Sequence, residues 1–192
     1  MKPRKRGHEG GGLHFHPWHD VDPGRDQPEK LNVIVEIPRG SRNKYEIDKP
    51  TGMFRFDRLL YSAVHYPGDY GFIPRTLAED HDPLDVLIMT TSPTFTGCIV
   101  EVRPIGVFEM QDHGENDEKI LAVPVRDPLY VEYAALSDVQ PHFLLEVEHF
   151  FRIYKDLEGS ETTIKGWKNQ AAAYAIITDA FARYAEAFKD RK

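Results

Sequence analysis

The feature that most constrains this chain is a change of period part-way along it. From residue 31 to about 125, apolar residues come in short runs broken by Pro, Gly and Asp. Beyond residue 140 they recur at every third or fourth position. Short runs with β-branched residues between turn formers predict strands, and a 3.6-residue recurrence predicts amphipathic helices. Strands are expected at 31–37, 44–48, 53–56, 86–90, 99–108 and 120–125, with a turn at Pro50-Thr51-Gly52 making a hairpin of the second and third. Phe143, Val147, Phe150, Phe151 and Tyr154 share one helical face, with Pro141 suited to the first turn and Gly159 past the end. A second stripe, Ala173, Ile176, Ile177, Ala180, Phe181, Tyr184 and Phe188, predicts a helix over about 171–189 with Asn169 as its cap. Strands followed by two helices indicate an α+β fold: a small closed sheet with the helices packed outside.

Residues 1–28 have a different character. Gly10, Gly11 and Gly12, prolines at 17, 23 and 28 and the absence of a sustained period predict a flexible or extended arm. Residues 29–192 are then a single domain. The basic start runs into glycine rather than an apolar stretch, so no secretory signal is expected there, and no apolar run approaches the roughly 20 residues a bilayer span needs. Cys98 is the only cysteine, which excludes an intrachain disulfide and fits a reducing, cytoplasmic setting. The net charge is −7 although Lys2, Arg4, Lys5 and Arg6 open the chain. An acidic body disfavours nucleic acid or anionic lipid as the main partner and suits divalent cations.

The sharpest chemical signal is Asp80-His81-Asp82-Pro83-Leu84-Asp85, three carboxylates in six residues leading directly into the apolar run Val86-Leu87-Ile88-Met89. Carboxylates are the preferred ligands of hard cations, and three so close repel one another unless cations neutralise them. An isolated Asp-x-Asp is as often a solvated turn; here the following strand ties the turn to the rim of a sheet. An EF-hand is excluded, since Asp85 stands where its glycine belongs and Thr91 where its bidentate glutamate belongs. A nucleophilic Asp-x-Asp phosphatase motif lacks its preceding apolar strand, and there is no Walker A loop. Further acids lie at Asp112 and Asp117, in a segment that reads alone as a polar hairpin loop, and at Glu36 and Glu46 on expected strands. Lys44 is two residues before Glu46, on the same strand face. Arg58, Tyr70, Lys119, Tyr154 and Lys155 add groups that recognise phosphate.

Taken in order, these segments resemble the type I soluble inorganic pyrophosphatases of bacteria and plants. The matching stretches are Val35-Glu36-Ile37-Pro38, Lys44-Tyr45-Glu46-Ile47-Asp48, Asp57-Arg58, Tyr66-Pro67-Gly68-Asp69-Tyr70-Gly71, Asp80 to Asp85, Arg103-Pro104-Ile105-Gly106, Asp112 to Lys119, His149-Phe150-Phe151 and Tyr154-Lys155-Asp156. The resemblance covers residue 31 onward; His16-Pro17-Trp18-His19-Asp20 is similar to plant-type members. It implies a five-stranded OB-like barrel with extra hairpin strands, two C-terminal helices outside and a site at the barrel mouth. The implied activity is hydrolysis of pyrophosphate to two phosphates by in-line attack of a Mg-bridged hydroxide.

The resemblance also implies roles. Asp80, Asp85 and Asp117 would hold a first Mg²⁺, with Asp85 shared by a second. Asp112 and Asp117 would take a cation arriving with substrate, and Glu36 and Glu46 would serve a further one or order water. Mn²⁺ or Zn²⁺ would substitute for Mg²⁺. Asp82 would orient the nucleophile and accept its proton. Lys44 and Tyr70 would hold the attacked phosphoryl group, Arg58, Tyr154 and Lys155 would stabilise the leaving phosphate, and Lys119 would organise the acids. The implied partner besides pyrophosphate is the chain itself, as a hexamer or trimer. Two positions depart from the family pattern: His81 replaces a small or turn-forming residue and His113 an acidic or amide one. The rival reading is an OB-like module for single-stranded nucleic acid. Such modules need basic, aromatic grooves, whereas the motifs here are rich in carboxylates. The scattered His8, His14, His16 and His19 read as solvated or packing side chains rather than a transition-metal site.

Overall fold

Nine strands and three α-helices make up the computed structural model, which describes residues 15–191. In chain order they are α1 (Pro17–Asp20), β1 (Leu31–Ile37), β2 (Asn43–Ile47), β3 (Phe54–Leu59), β4 (Asp69–Phe72), β5 (Asp85–Ile88), β6 (Ile99–Asp112), β7 (Glu115–Asn116), β8 (Lys119–Pro124), α2 (Pro141–Ile153), β9 (Thr162–Asn169) and α3 (Gln170–Ala187). Strand neighbours run β1-β4-β5-β8-β6, and β6 pairs back onto β1, so five strands close a ring. Closure removes the exposed edges of an open sheet. Only β5 and β8 run parallel within that ring. The expected five-stranded barrel with helices is the fold observed.

Long β6 makes closure possible. Its first residues pair with β1, its middle with β8 and its last seven with β9. An irregularity between Pro104 and Gly106 lets it change partners, since a bulge bends a strand and tolerates proline. The register then places chemistry. Asp85 opens β5 directly opposite Lys119, the first residue of β8, while Tyr70 on β4 stands diagonal to Asp85.

Successive strand residues feed two clusters. Val86, Ile88, Ile120 and Ala122 pack with Ala173, Ile177 and Ala180 of α3. Leu87, Leu121 and Val123 pack with Val147, Phe150 and Phe151 of α2. Apolar cover on both faces explains why β5 and β8 read as continuous apolar runs rather than alternating ones. Asn169 caps α3 as expected, its side chain accepting from the Ala172 N–H at 3.1 Å. Helix α2 stops at Ile153, and Gly159, at φ 73°, closes a further short 3-10 turn, Asp156–Glu158.

Two features depart from the expectation. β9 lies between the two helices, where no strand was predicted. The segment read as an arm also packs over residues 15–28: Trp18 and Val21 are buried with Ile34, Ile47 and Phe72, against Tyr184 and Phe188 of the α3 end. The composition of residues 1–28 hides this, because one tryptophan anchors a stretch otherwise rich in turn formers. His8 and His14 lie outside the described residues. No helix among the described residues is long and apolar enough to cross a membrane.

Candidate active site

A cavity of about 190 Å³ opens at the ring's rim, between the β2–β3 hairpin, the 80–85 turn and the C-terminal end of α2. It is lined by seven carboxylates, Glu36, Glu46, Asp80, Asp82, Asp85, Asp112 and Asp117, and by four lysines, Lys44, Lys49, Lys119 and Lys155. Tyr70 and Tyr154 line it too, together with Tyr45 and Tyr66. Every residue expected at the site therefore lines this one cavity except Arg58. Arg58 lines an adjoining recess with His113, Glu158 and Lys155, so Lys155 is shared between the two.

Each acid has a structural reason for its position. Glu36 interrupts the apolar run of β1 and is buried, accepting a hydrogen bond from the Ile47 N–H at 2.8 Å. Lys44 and Glu46, two apart on β2, bond to each other, and Lys44 Nζ is also 3.6 Å from Asp57. In the 80–85 turn the Asp82 N–H donates to Asp80 Oδ1 at 3.0 Å, an Asx-type closure that fixes the loop. His81, where a small or turn-forming residue was expected, sits in that turn at φ 67°, a backbone region histidine enters more readily than most residues. His113, where an acidic or amide residue was expected, has φ 50° and is followed by Gly114 at φ 85°. Both central residues of this two-residue β6–β7 hairpin thus have the positive φ that a type I′ turn requires, which places Asp112 at its foot.

Lys119 stands at the centre. It is almost wholly buried and donates to Asp85 at 2.6 Å and to Asp117. Burial alone would lower its pKa, but Asp85 and Asp117 outweigh that and raise it well above the ordinary lysine value. The Tyr70 hydroxyl donates to Asp85 at 2.5 Å, and its pKa is pushed up by burial and then by that carboxylate. Lys155 pairs with Asp112; burial acts to raise the Asp112 pKa, and the Lys155 bond and charge bring it below the usual value. Burial, reinforced by Asp85, lifts Asp80 to about 6 and Glu36 to about 8. Asp85 itself is raised by burial, against the pull of Lys119.

The order of the motifs and the closed ring both have counterparts among known proteins. A family model described as "Inorganic pyrophosphatase" matches residues 33–185. The chain belongs to the inorganic pyrophosphatase family. It is 44% identical over 181 residues to "Soluble inorganic pyrophosphatase 2" of Chlamydomonas reinhardtii, covering 94% of both chains. It is 49% identical over 162 residues to the inorganic pyrophosphatase of Nostoc sp., covering 84% of this chain and 96% of the relative. In three dimensions it is similar to the inorganic pyrophosphatase of Thermus thermophilus, with a TM-score of 0.84, 40% identity and 88% and 98% coverage.

Pyrophosphatases of this family are in general metal-dependent, and the donor set fits hard cations. Seven oxygen-donor side chains share the cavity with only four ammonium groups, and burial, with neighbouring carboxylates adding to it, raises Asp80, Glu36 and Asp85. Among the described residues no three acidic, histidine or cysteine side chains form a ready cluster, because Lys119 stands between Asp85 and Asp117 and Lys49 holds Asp82. The sequence reading missed Lys49 because it belongs to a segment, Asp48–Gly52, that reads only as a turn. It also missed Glu158, whose ion pair with Arg58 at 2.8 Å crosses between segments far apart in the chain.

Proposed function

We propose that this chain hydrolyses inorganic pyrophosphate to two phosphates and that Mg²⁺ is its working cation. The convergence of seven carboxylates, four lysines and four tyrosines in one cavity carries the reading. Asp80, Asp85 and Asp117 would hold the tight cations, Asp85 between two of them. Asp112 with Asp117, and Glu36 with Glu46, would serve cations that come with substrate. Bound there, the cations supply charge neutralisation and lower the pKa of a coordinated water. Mg²⁺ suits a site of few carboxylates that leaves room for water, with Mn²⁺ or Zn²⁺ as substitutes.

The protein's own groups then have distinct tasks. Asp82, on the turn outside β5, orients the attacking water and takes its proton. Lys44 and Tyr70 hold the phosphoryl group under attack. Arg58, Tyr154 and Lys155 bear the charge that gathers on the departing phosphate as the bridging P–O bond breaks. Lys119 keeps Asp85 and Asp117 together. Attack is in line, without a covalent enzyme intermediate, so positioning and charge neutralisation supply most of the rate. Phosphate release from pyrophosphate, set beside retention on single-stranded DNA at low salt, tests this function. Release without retention supports it; retention without release favours the nucleic-acid module. We extend the proposal to self-association as a hexamer or trimer, which a light-scattering mass three or six times the 22.1 kDa of one chain would support.

A further inference from the structure

Lys49 belongs to none of the roles above, yet it lines the cavity and its ammonium pairs with Asp82, with the His81 carbonyl 3.4 Å away. Its backbone is held from the other side. His16 Nε2–H donates to the Lys49 carbonyl at 2.8 Å. His16 is buried, and its own N–H bonds the Asp20 carboxylate at 2.6 Å, closing the short α1. The Lys49 turn packs so tightly here that a Cβ on Gly52 would lie 2.9 Å from Pro17 and 3.0 Å from His16. The same segment grips the loop leading to the acidic turn: the indole of Trp18 donates to the Thr76 carbonyl at 2.8 Å, and the Arg75 N–H donates to the Trp18 carbonyl at 2.8 Å. Two loops that meet at Asp82 are thus fastened to one short piece of chain. That piece precedes residue 33, where the family match begins.

We propose that Lys49 is a positioning residue for Asp82, and that His16 sets it in place by fixing the backbone of its turn. This rests on the reading of Asp82 as the proton acceptor. The ammonium restrains the Asp82 carboxylate, and a small misplacement of a reacting group costs rate rather than substrate affinity. His16 acts through Lys49 and does not touch the reacting atoms. The segment that carries it therefore tunes a site to which it contributes no side chain.

The test is a double-mutant cycle on the full chain, read as kcat and KM for pyrophosphate at saturating Mg²⁺. Lys49→Gln, at a half-exposed position, is expected to lower kcat roughly tenfold with KM changed by less than about twofold, and Lys49→Arg to keep most of the rate. His16→Phe keeps an aromatic ring there and removes the donor. It also removes a buried Nδ1 that has no hydrogen-bond partner among the described residues, so stability should hold while kcat falls roughly threefold. In the Lys49→Gln background His16→Phe should change nothing further, because contributions acting through one group do not add. A Lys49→Gln kcat within about twofold of wild type overturns the inference, as does a full multiplication of the two effects. Either result with an active wild type leaves the proposed activity standing; a wild type inert toward pyrophosphate removes both.

Discussion

At the scale of single residues, environment assigns different work to similar carboxylates. Asp82 and Asp85 are three apart, yet Asp85 is enclosed by Lys119 and Tyr70 whereas Asp82 is half-exposed and pairs with Lys49. Asp85→Asn should weaken cation binding and recover part of its rate at high Mg²⁺. Asp82→Asn should lose about 10²–10⁴ in kcat, the usual effect of a missing general base, and extra Mg²⁺ should not restore it. Steady-state rates across a Mg²⁺ series check both, and rescue of Asp82→Asn alone would reverse the assignments. Glu36 gives a pH signature. Burial first, and Asp85 second, hold its pKa at about 8 in the folded protein against an ordinary 4.5. The folded, metal-free protein therefore keeps a proton that the unfolded chain releases. That contribution to stability is full below pH 4.5 and is lost as pH rises through about 8. Denaturant unfolding in EDTA should show stability falling across this window, and Glu36→Gln should flatten the fall. An equal slope in the variant would assign the dependence to another group.

Among the elements, legibility followed the strength of the local pattern. The apolar runs of β1, β5, β6 and β8 and the stripes of α2 and α3 were visible because burial on a face leaves a period in the sequence. β9 was not, because its side chains are half-exposed and Gly166, at φ 102°, interrupts it. Its place is decided by pairing with the distant end of β6, which no local pattern encodes. The site acids were legible as motifs; the recess that takes Arg58, and the approach of Lys49 to Asp82, were not, since both depend on how separate loops are folded together. β4 shows how tightly such approaches are made. A Cβ on Gly71 would stand 2.0 Å from the Ile34 carbonyl oxygen of β1. Gly71→Ala must therefore prise β1 from β4 beside Tyr70, and a loss of roughly 3 kcal/mol or more is expected by denaturant unfolding. A near-neutral result would mean that the two strands separate easily.

On the scale of the whole molecule, one closed ring supplies the frame and its rim gathers groups from residue 36 to residue 155. Closure fixes their spacing, so cation size should matter. Ca²⁺, larger and with a looser shell than Mg²⁺, is expected to bind and inhibit; turnover with Ca²⁺ equal to that with Mg²⁺ would contradict a tight site. The packed 16–20 segment adds a second tie between the β2–β3 hairpin, the 76–82 stretch and α3, which extends the frame beyond the span of the family match. The central claim is that these carboxylates serve cation-dependent hydrolysis of pyrophosphate. Counting phosphate released from a known amount of pyrophosphate, with Mg²⁺ and again with EDTA, tests it most directly. The account predicts two phosphates per pyrophosphate with Mg²⁺ and almost none with EDTA; undiminished release in EDTA, or no release with any divalent cation, would contradict it.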